Sequence, residues 1–461
     1  MRGLRPAGIS LRPSTLVAVA LVAAVYLWFW TVAAHRINDP PFVGFLGVFQ
    51  TGCGDFEHFY LAARAMRDGS DLYGSGMRGY IYPPLIAFLF MPLTFVSVQV
   101  AAWVMLVVNL ALMLLCTWVA SAEAVRRFGT TASFHNVMRV VAVATLLSAT
   151  RLRSELQMWQ TDVLLMTAVL LAWRFLDARP QLAGLLLGLA VNIKYLPLVF
   201  LPYLLFRRRF VAAAWFVAGI VAFALLPALH TGWGANLHHW ATASSGLARL
   251  FGFSATAATS ANVDPITAGY SISITSGIAR ILGAAAAPGV AWLATACVAL
   301  VLAWVLRGVY AARGKPLMAW PPARGQGVQP YLGTVALEWP ALMTVALAFS
   351  PQTNPRHTSL LLMVFAPLAV MLCFPRPGTS RGAAVLATVI LFLGLALPPK
   401  LPEFALQVTW WAQVGGVGWC MAAMLPFFFI AGFRQLDSRT ASRTSGRTRG
   451  ATNLGGAAAV P

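Results

Sequence analysis

Runs of about twenty apolar residues recur from one end of this chain to the other, and they leave few folds open. A helix needs roughly 20 such residues to cross the hydrocarbon core of a bilayer. Of the 461 residues, 59% are hydrophobic and only 10% are charged, too few polar groups to cover a soluble globule. A transmembrane β-barrel would alternate apolar and polar residues in segments of about ten, and that pattern is missing. The chain therefore reads as an all-α polytopic membrane protein.

The net charge of +20 invites a nucleic-acid reading, but the charges are in the wrong places for it. Arginines fall in short clusters between apolar runs, as expected of cytoplasmic loops. Twelve spans are expected, at about 14–34, 100–122, 137–150, 160–176, 181–194, 195–206, 211–229, 287–306, 333–349, 358–373, 383–397 and 409–431. This arrangement puts 22 of the 33 basic residues, including Arg2, Arg5 and the cluster Arg207–Arg209, on the side of the N-terminus. Both termini are then cytoplasmic, and the first run is a retained helix, not a removed signal peptide. The apolar run Pro83–Val98 opens on a double proline and carries Pro92, so it reads as a segment at the membrane face. The expected organisation is one transmembrane domain over residues 1–433 and a disordered basic tail over 434–461, held near anionic lipid.

Two long outer segments remain, about 35–99 and 230–286. The first holds GDFEHFYLAARAMRDGSDLYGSGMRGYIYPP, where Asp55 and Glu57 sit beside His58. From Phe56, apolar residues recur at Phe59, Tyr60, Ala63 and Met66, the spacing of an interfacial amphipathic helix. Glu57, His58, Arg64 and Arg67 fall on its other face, and Gly69 stops it. Asp55 stands just ahead of the first turn, where a carboxylate caps free N–H groups. It also suits a general base open to a polar acceptor. Asp71 is a turn residue. Tyr80 and Tyr82 fix the chain's return to the membrane or stack on a sugar.

Elsewhere few polar groups carry chemistry. Lys194 follows 14 helical residues from Pro180; it either snorkels to the outer interface or faces a lipid-linked phosphate. Arg151 and Arg153 lie on the outer side against the charge rule, as phosphate ligands or as partners of Glu155; Arg280 is similar and weaker. Arg356 beside His357 suggests a guanidinium forked onto phosphate, against the plain alternative of a satisfied histidine. Glu155 and Asp162 read as capping or ion-pairing groups. Gly184 and Gly188 form a GxxxG helix contact. His238 and His239 lack further ligands at useful spacing, so no metal is expected, and none of the five cysteines has a visible partner.

The pattern G-D-F-x-x-F-Y-x-A-A-x-A, a G-x-D-L-Y turn and Y-x-Y-P-P-L-x-x-x-L-F-x-P-L resembles glycosyltransferase family 87, and the resemblance runs on through most of the chain. It continues at Gln160-Thr161-Asp162 and again at Ala183-Gly184, Gly188, Asn192, Lys194 and Pro197. It implies a GT-C-like membrane mannosyltransferase that uses a polyprenyl-phosphate sugar, with Asp55 as catalytic base. Two departures stand out. A late S-P-x-x-W-x-H-H motif is here Ser350-Pro351-Gln352-Thr353-Asn354-Pro355-Arg356-His357, and Ser271-Ile272-Ser273-Ile274 replaces an N-Q-S-L-like element.

The expected reaction is an inverting sugar transfer at the outer face from a polyprenyl-phosphate donor to a glycolipid or glycan acceptor. No cofactor is expected, and no nucleotide-binding glycine loop is present. Lys194, Arg356, His357, Arg151, Arg153, His58, Glu57 and Tyr82 are the candidate substrate and donor-phosphate ligands around Asp55. The competing classes are a lipid or anionic-solute transporter and a non-catalytic envelope-assembly partner. The transferase reading requires Asp55, Lys194 and Arg356 to share one cavity.

Overall fold

The computed structural model describes residues 12–38, 42–44, 47–49, 55–75, 80–252, 263–283, 288–317, 321, 328–375, 381–396 and 410–452. Arg2, Arg5 and Gly54, which entered the reading above, lie outside the described residues. The chain is a polytopic membrane protein built from helices. Its small addition to the all-α expectation is a hairpin in the segment after residue 38, β1 (Phe42–Gly44) against β2 (Gly47–Phe49), antiparallel, with Phe42 opposite Phe49.

The helices are α1 (Pro13–Ile37), α2 (Asp55–Arg67), α3 (Pro84–Phe90), α4 (Val98–Arg127), α5 (Phe134–Met158), α6 (Asp162–Phe175), α7 (Pro180–Ile193), α8 (Phe200–Phe206) and α9 (Phe210–Leu225). Then come α10 (Ala228–Thr231), α11 (Trp233–Leu250), α12 (Ile274–Leu282), α13 (Pro288–Ala312), α14 (Val328–Phe349), α15 (Leu362–Cys373), α16 (Arg381–Ala396) and α17 (Gly416–Thr452). Local chemistry sets several starts. Proline opens α1, α3 and α7 at the first turn, where its missing N–H costs nothing. Ser97, Ser133 and Ser273 cap α4, α5 and α12, accepting N–H bonds from Val100, Asn136 and Ser276.

Seven helices among the described residues are long and apolar enough to cross a membrane: Pro13–Ile37, Val98–Arg127, Phe210–Thr231, Pro288–Ala312, Tyr331–Phe349, Pro355–Cys373 and Gly416–Asp437. Twelve were expected, and the other five fall short for physical reasons. The 25-residue α5 carries Arg139, Arg151, Arg153 and Glu155. With 14 residues each, α6 and α7 rise only about 21 Å. Leu196–Phe206 and Arg381–Leu395 are shorter apolar helices as well. Pro84–Phe95 is also a shorter apolar helix. Where a disordered tail from residue 434 was expected, α17 continues to Thr452. That stretch contains no proline, and extending a formed helix costs far less than starting one.

At the centre is α15, every residue of which is buried from Leu362 to Met371. Around it pack α4, α5, α14, α16 and α17. On the periphery, α13 exposes Leu293, Leu300, Val301 and Trp304, as a lipid-facing helix does. The closest helix pair is α7 with α9, and glycines permit it. A Cβ on Gly184 would stand 2.4 Å from the Ala212 carbonyl oxygen, and one on Gly188 would stand 2.5 Å from the Gly219 backbone. The GxxxG pair thus serves close packing and holds the α7 end that leads to Lys194.

Replacing Gly188 with Val should force α7 from α9 and lower the thermal midpoint in detergent, at a cost of roughly 1–3 kcal/mol. Gly234→Ala, where an added Cβ meets nothing within 4 Å, is the control and should leave the midpoint unchanged.

Candidate active site

The polar cluster is assembled from helix breaks. Asp55 is the first residue of α2. Gln160 lies between α5 and α6, and Asp162 opens α6. Lys194 is the C-cap of α7, in extended conformation, and the nearby Pro197 cannot continue an α-helix. Arg356 and His357 lie in the first turn of a 3-10 helix, Pro355–Leu361, whose N-cap Asn354 accepts the Arg356 N–H. At a break the side chain is free of the helix barrel, and polar backbone is tolerated at depth only where protein or a cavity receives it.

The contacts run in a chain. Arg356 forms an ion pair with Asp55, whose other neighbour is the Gln160 amide, donating to the same carboxylate oxygen. The Gln160 carbonyl accepts from Lys194 Nζ at 3.3 Å and from the Tyr82 hydroxyl at 3.4 Å. Lys194 Nζ lies 2.5 Å from Asp162 Oδ1, 3.3 Å from His357 Nε2 and 5.5 Å from the centre of the Tyr82 ring. An ammonium only donates, so His357 Nε2 accepts and the ring proton sits on Nδ1. Beneath them Glu155 Oε1 takes the Asp162 N–H at 3.1 Å and so caps α6.

Exposure divides the cluster into a mouth and a floor. Arg356, His357 and Asp55 keep 26%, 18% and 15% of their side-chain surface, against 6% for Lys194 and 0% for Asp162. Burial pushes the Asp55 carboxyl above the usual carboxylate range, while the Arg356 guanidinium pulls the other way, followed by His58 and Lys194. His58 stands one turn after Asp55 on α2; burial lowers its imidazole below the usual range and Asp55 partly offsets that. Tyr82 joins an aromatic wall with Phe59, ring centres 5.0 Å apart, and its carbonyl accepts the Tyr73 hydroxyl.

Three of the expected ligands go elsewhere. Arg151 donates to the Leu395 carbonyl, and Arg153 lies over the Trp28 ring at 5.1 Å. Neither pairs with Glu155, because their helical positions turn them to α16 and α1. Glu57 was placed on the polar face of α2 but is buried at 3% exposure. Arg280 is used up on the backbone carbonyls of Gln413, Ala268, Ser271 and Ala412. Asp71 accepts the Tyr73 N–H, as a turn residue does. The His239 ring lies tilted beside that of Tyr73, centres 6.0 Å apart, and no metal-holding group of three or more His, Cys, Asp or Glu occurs among the described residues.

Gln160 was seen in the sequence only as part of a motif, and Asp162 only as a cap or ion-pair partner. The signal for both is a polar triplet, Gln160-Thr161-Asp162, between two apolar runs. Their pairing with Lys194 makes it a buried cation already neutralised. Removing one partner of a buried pair leaves an uncompensated charge. Lys194→Met should therefore lower stability by about 3–5 kcal/mol, and the added Asp162→Asn change should recover part of that loss in thermal melts.

The model of "Glycosyltransferase family 87" matches residues 80–323, more than half of the chain. That range holds Tyr82, Gln160, Asp162 and Lys194 and leaves Asp55, Arg356 and His357 outside it. Similar proteins include a polyprenol-phosphate-mannose-dependent alpha-(1-2)-phosphatidylinositol mannoside mannosyltransferase of Mycolicibacterium smegmatis, 30% identical over 207 residues, which cover 40% of this chain and 46% of that protein. Its counterpart of the same description in Mycobacterium tuberculosis is 31% identical over 209 residues, covering 40% of this chain and 47% of that one. A polyprenol-phosphate-mannose-dependent alpha-(1-2)-phosphatidylinositol pentamannoside mannosyltransferase of Mycobacterium tuberculosis is 30% identical over 228 residues, 49% of this chain and 48% of that one. The chain thus spans about half the length of the curated relatives it matches. On the family match, this chain belongs to glycosyltransferase family 87.

Proposed function

We propose that this protein transfers a mannosyl group from a polyprenyl-phosphate donor to a hydroxyl of a glycolipid or glycan acceptor. The observation that carries this is the joining of Asp55, Arg356, His357 and Lys194 in one partly open cluster. The relatives' descriptions supply the donor class and suggest a phosphatidylinositol mannoside as the acceptor class. The charge bias of the loops supports a site on the outer face with both termini cytoplasmic.

In this reaction the acceptor hydroxyl gives its proton to Asp55 as its oxygen attacks the anomeric carbon. The bond from that carbon to the phosphate oxygen breaks, and the phosphate leaves with the electron pair. One carboxylate acting as base on a direct displacement implies inversion. The cations do not stand free. Asp162 neutralises Lys194, and Asp55 holds Arg356. Arg356 is the more exposed of the two, so it is the cation that a donor phosphate meets first. A guanidinium that turns from Asp55 to the phosphate does two things at once. It stabilises the charge on the leaving group, and it returns basicity to the carboxylate. Tyr82 offers an aromatic face beside the base, where a sugar ring can lie.

Purified protein incubated with radiolabelled polyprenyl-phosphate mannose and membrane lipids should form a labelled glycolipid. Asp55→Asn should reduce the rate by about 10²–10⁴-fold while retaining donor binding. Full activity in that variant would remove the assignment of the base.

The pH profile gives a second check. The Asp55 carboxyl is held above the usual range, so transfer should rise with pH through that raised value as the base loses its proton. Arg356 favours the ionised form, so Arg356→Met should move the acid limb of kcat/KM to higher pH and raise the donor KM. A limb that stays in place, or moves down, would contradict the pairing.

A further inference from the structure

We propose that Gln160 is a positioning residue of this reaction, its amide fixing the base Asp55 on one side and the cation Lys194 on the other. The inference rests on the transferase reading above and gives a role to a residue that the reaction steps written there do not use.

Gln160 is a neutral side chain that touches both the Asp55 carboxylate and the Lys194 ammonium. Its Nε2 donates to Asp55 Oδ2, and its Oε1 accepts from Lys194 Nζ and from the Tyr82 hydroxyl. The orientation of the amide follows from its partners. A carboxylate only accepts and an ammonium only donates, so the reverse placement would set like against like at both ends. The side chain is 4% exposed, so solvent does not supply substitutes for these bonds.

The backbone bears on the same point. Trp159, immediately before Gln160, is left-handed at φ 56 and ψ 45. For a bulky non-glycine residue this conformation is strained, and strain of this kind persists where surrounding contacts hold it. Here the contact is Phe56, the residue after Asp55, whose ring centre lies 6.3 Å from that of Trp159. Two adjacent residues of the α5–α6 break thus meet two adjacent residues of α2, ring to ring and amide to carboxylate. This double contact sets where Asp55 points independently of Arg356. It keeps the carboxylate in place when the guanidinium turns to the donor phosphate.

The test has two readouts. The first follows the Asp55 carboxylate by difference infrared spectroscopy against Asp55→Asn, with no substrate present. Gln160→Ala removes a hydrogen bond to the ionised form, so the Asp55 midpoint should rise by about one pH unit or more. Gln160→Glu, close in shape and carrying a like charge, should raise it as well and serves if the alanine variant does not fold. The second readout is transfer. Gln160→Ala should lower kcat about 10- to 100-fold, with the acid limb moved up and the acceptor KM little changed. An unmoved midpoint in both variants, or wild-type kcat with an unshifted profile, overturns the proposal. Failure of the wild type to transfer mannose would count against the proposed function and leave the infrared shift to decide the role of Gln160.

Discussion

The contact between Asp55 and Arg356 joins residues 301 positions apart and brings the start of α2 onto the turn that leads into α15. Without it the start of α2 would be a surface helix end and the 3-10 turn a polar break in an apolar run. With it, the two form the more exposed part of a cluster whose buried part is the Lys194–Asp162 pair. Two charges of each sign sit in one small volume. Such an arrangement is costly to desolvate unless every charge has a partner. The alternation of acid and base along Arg356, Asp55, Lys194 and Asp162 meets that requirement, with the neutral Gln160 amide joining Asp55 to Lys194.

The polar residues are confined to helix breaks, and this follows from the solvent. In lipid a backbone group has no water to turn to, so the chain stays helical until protein can receive what a break exposes. Breaks are therefore the places where side chains leave the helix barrel with polar neighbours at hand. The short helices α6 and α7 bring two such breaks together, and the tight packing of α7 on α9 through Gly184 and Gly188 gives α7 little room to shift. The chemistry of the cluster and the shortness of these helices are one feature, seen once as charge and once as length.

Much of this was legible beforehand. Apolar runs show the membrane class, because the bilayer imposes a length and a composition that soluble folds do not need. Asp55 stood out as an acid in a long polar segment, and Gly184 with Gly188 as a contact site for a neighbouring helix. Arg151 and Arg153 show where such reading stops. By charge and depth they resemble Arg356, yet Arg151 reaches a backbone carbonyl near the end of α16 and Arg153 lies on an α1 tryptophan. The direction of a side chain around a helix depends on what packs beside it, and the spacing of charges does not contain that. The number of spans lies beyond such reading for a related reason. Charge bias assigns sides to segments but does not test whether each one is long enough to cross.

The sequence by itself determined that this protein lives in a bilayer, that its polar chemistry is restricted to a few segments between apolar runs, and that one of them carries an acid suited to accept a proton. Tertiary structure alone decided which of those segments meet. It chose Arg356 over Arg151 for Asp55, gave Lys194 to Asp162, and set Gln160 between the two pairs. The physical reason is that an apolar helix end looks the same from sequence whichever neighbour it faces, whereas a buried charge is stable only beside the specific partner that packing delivers to it.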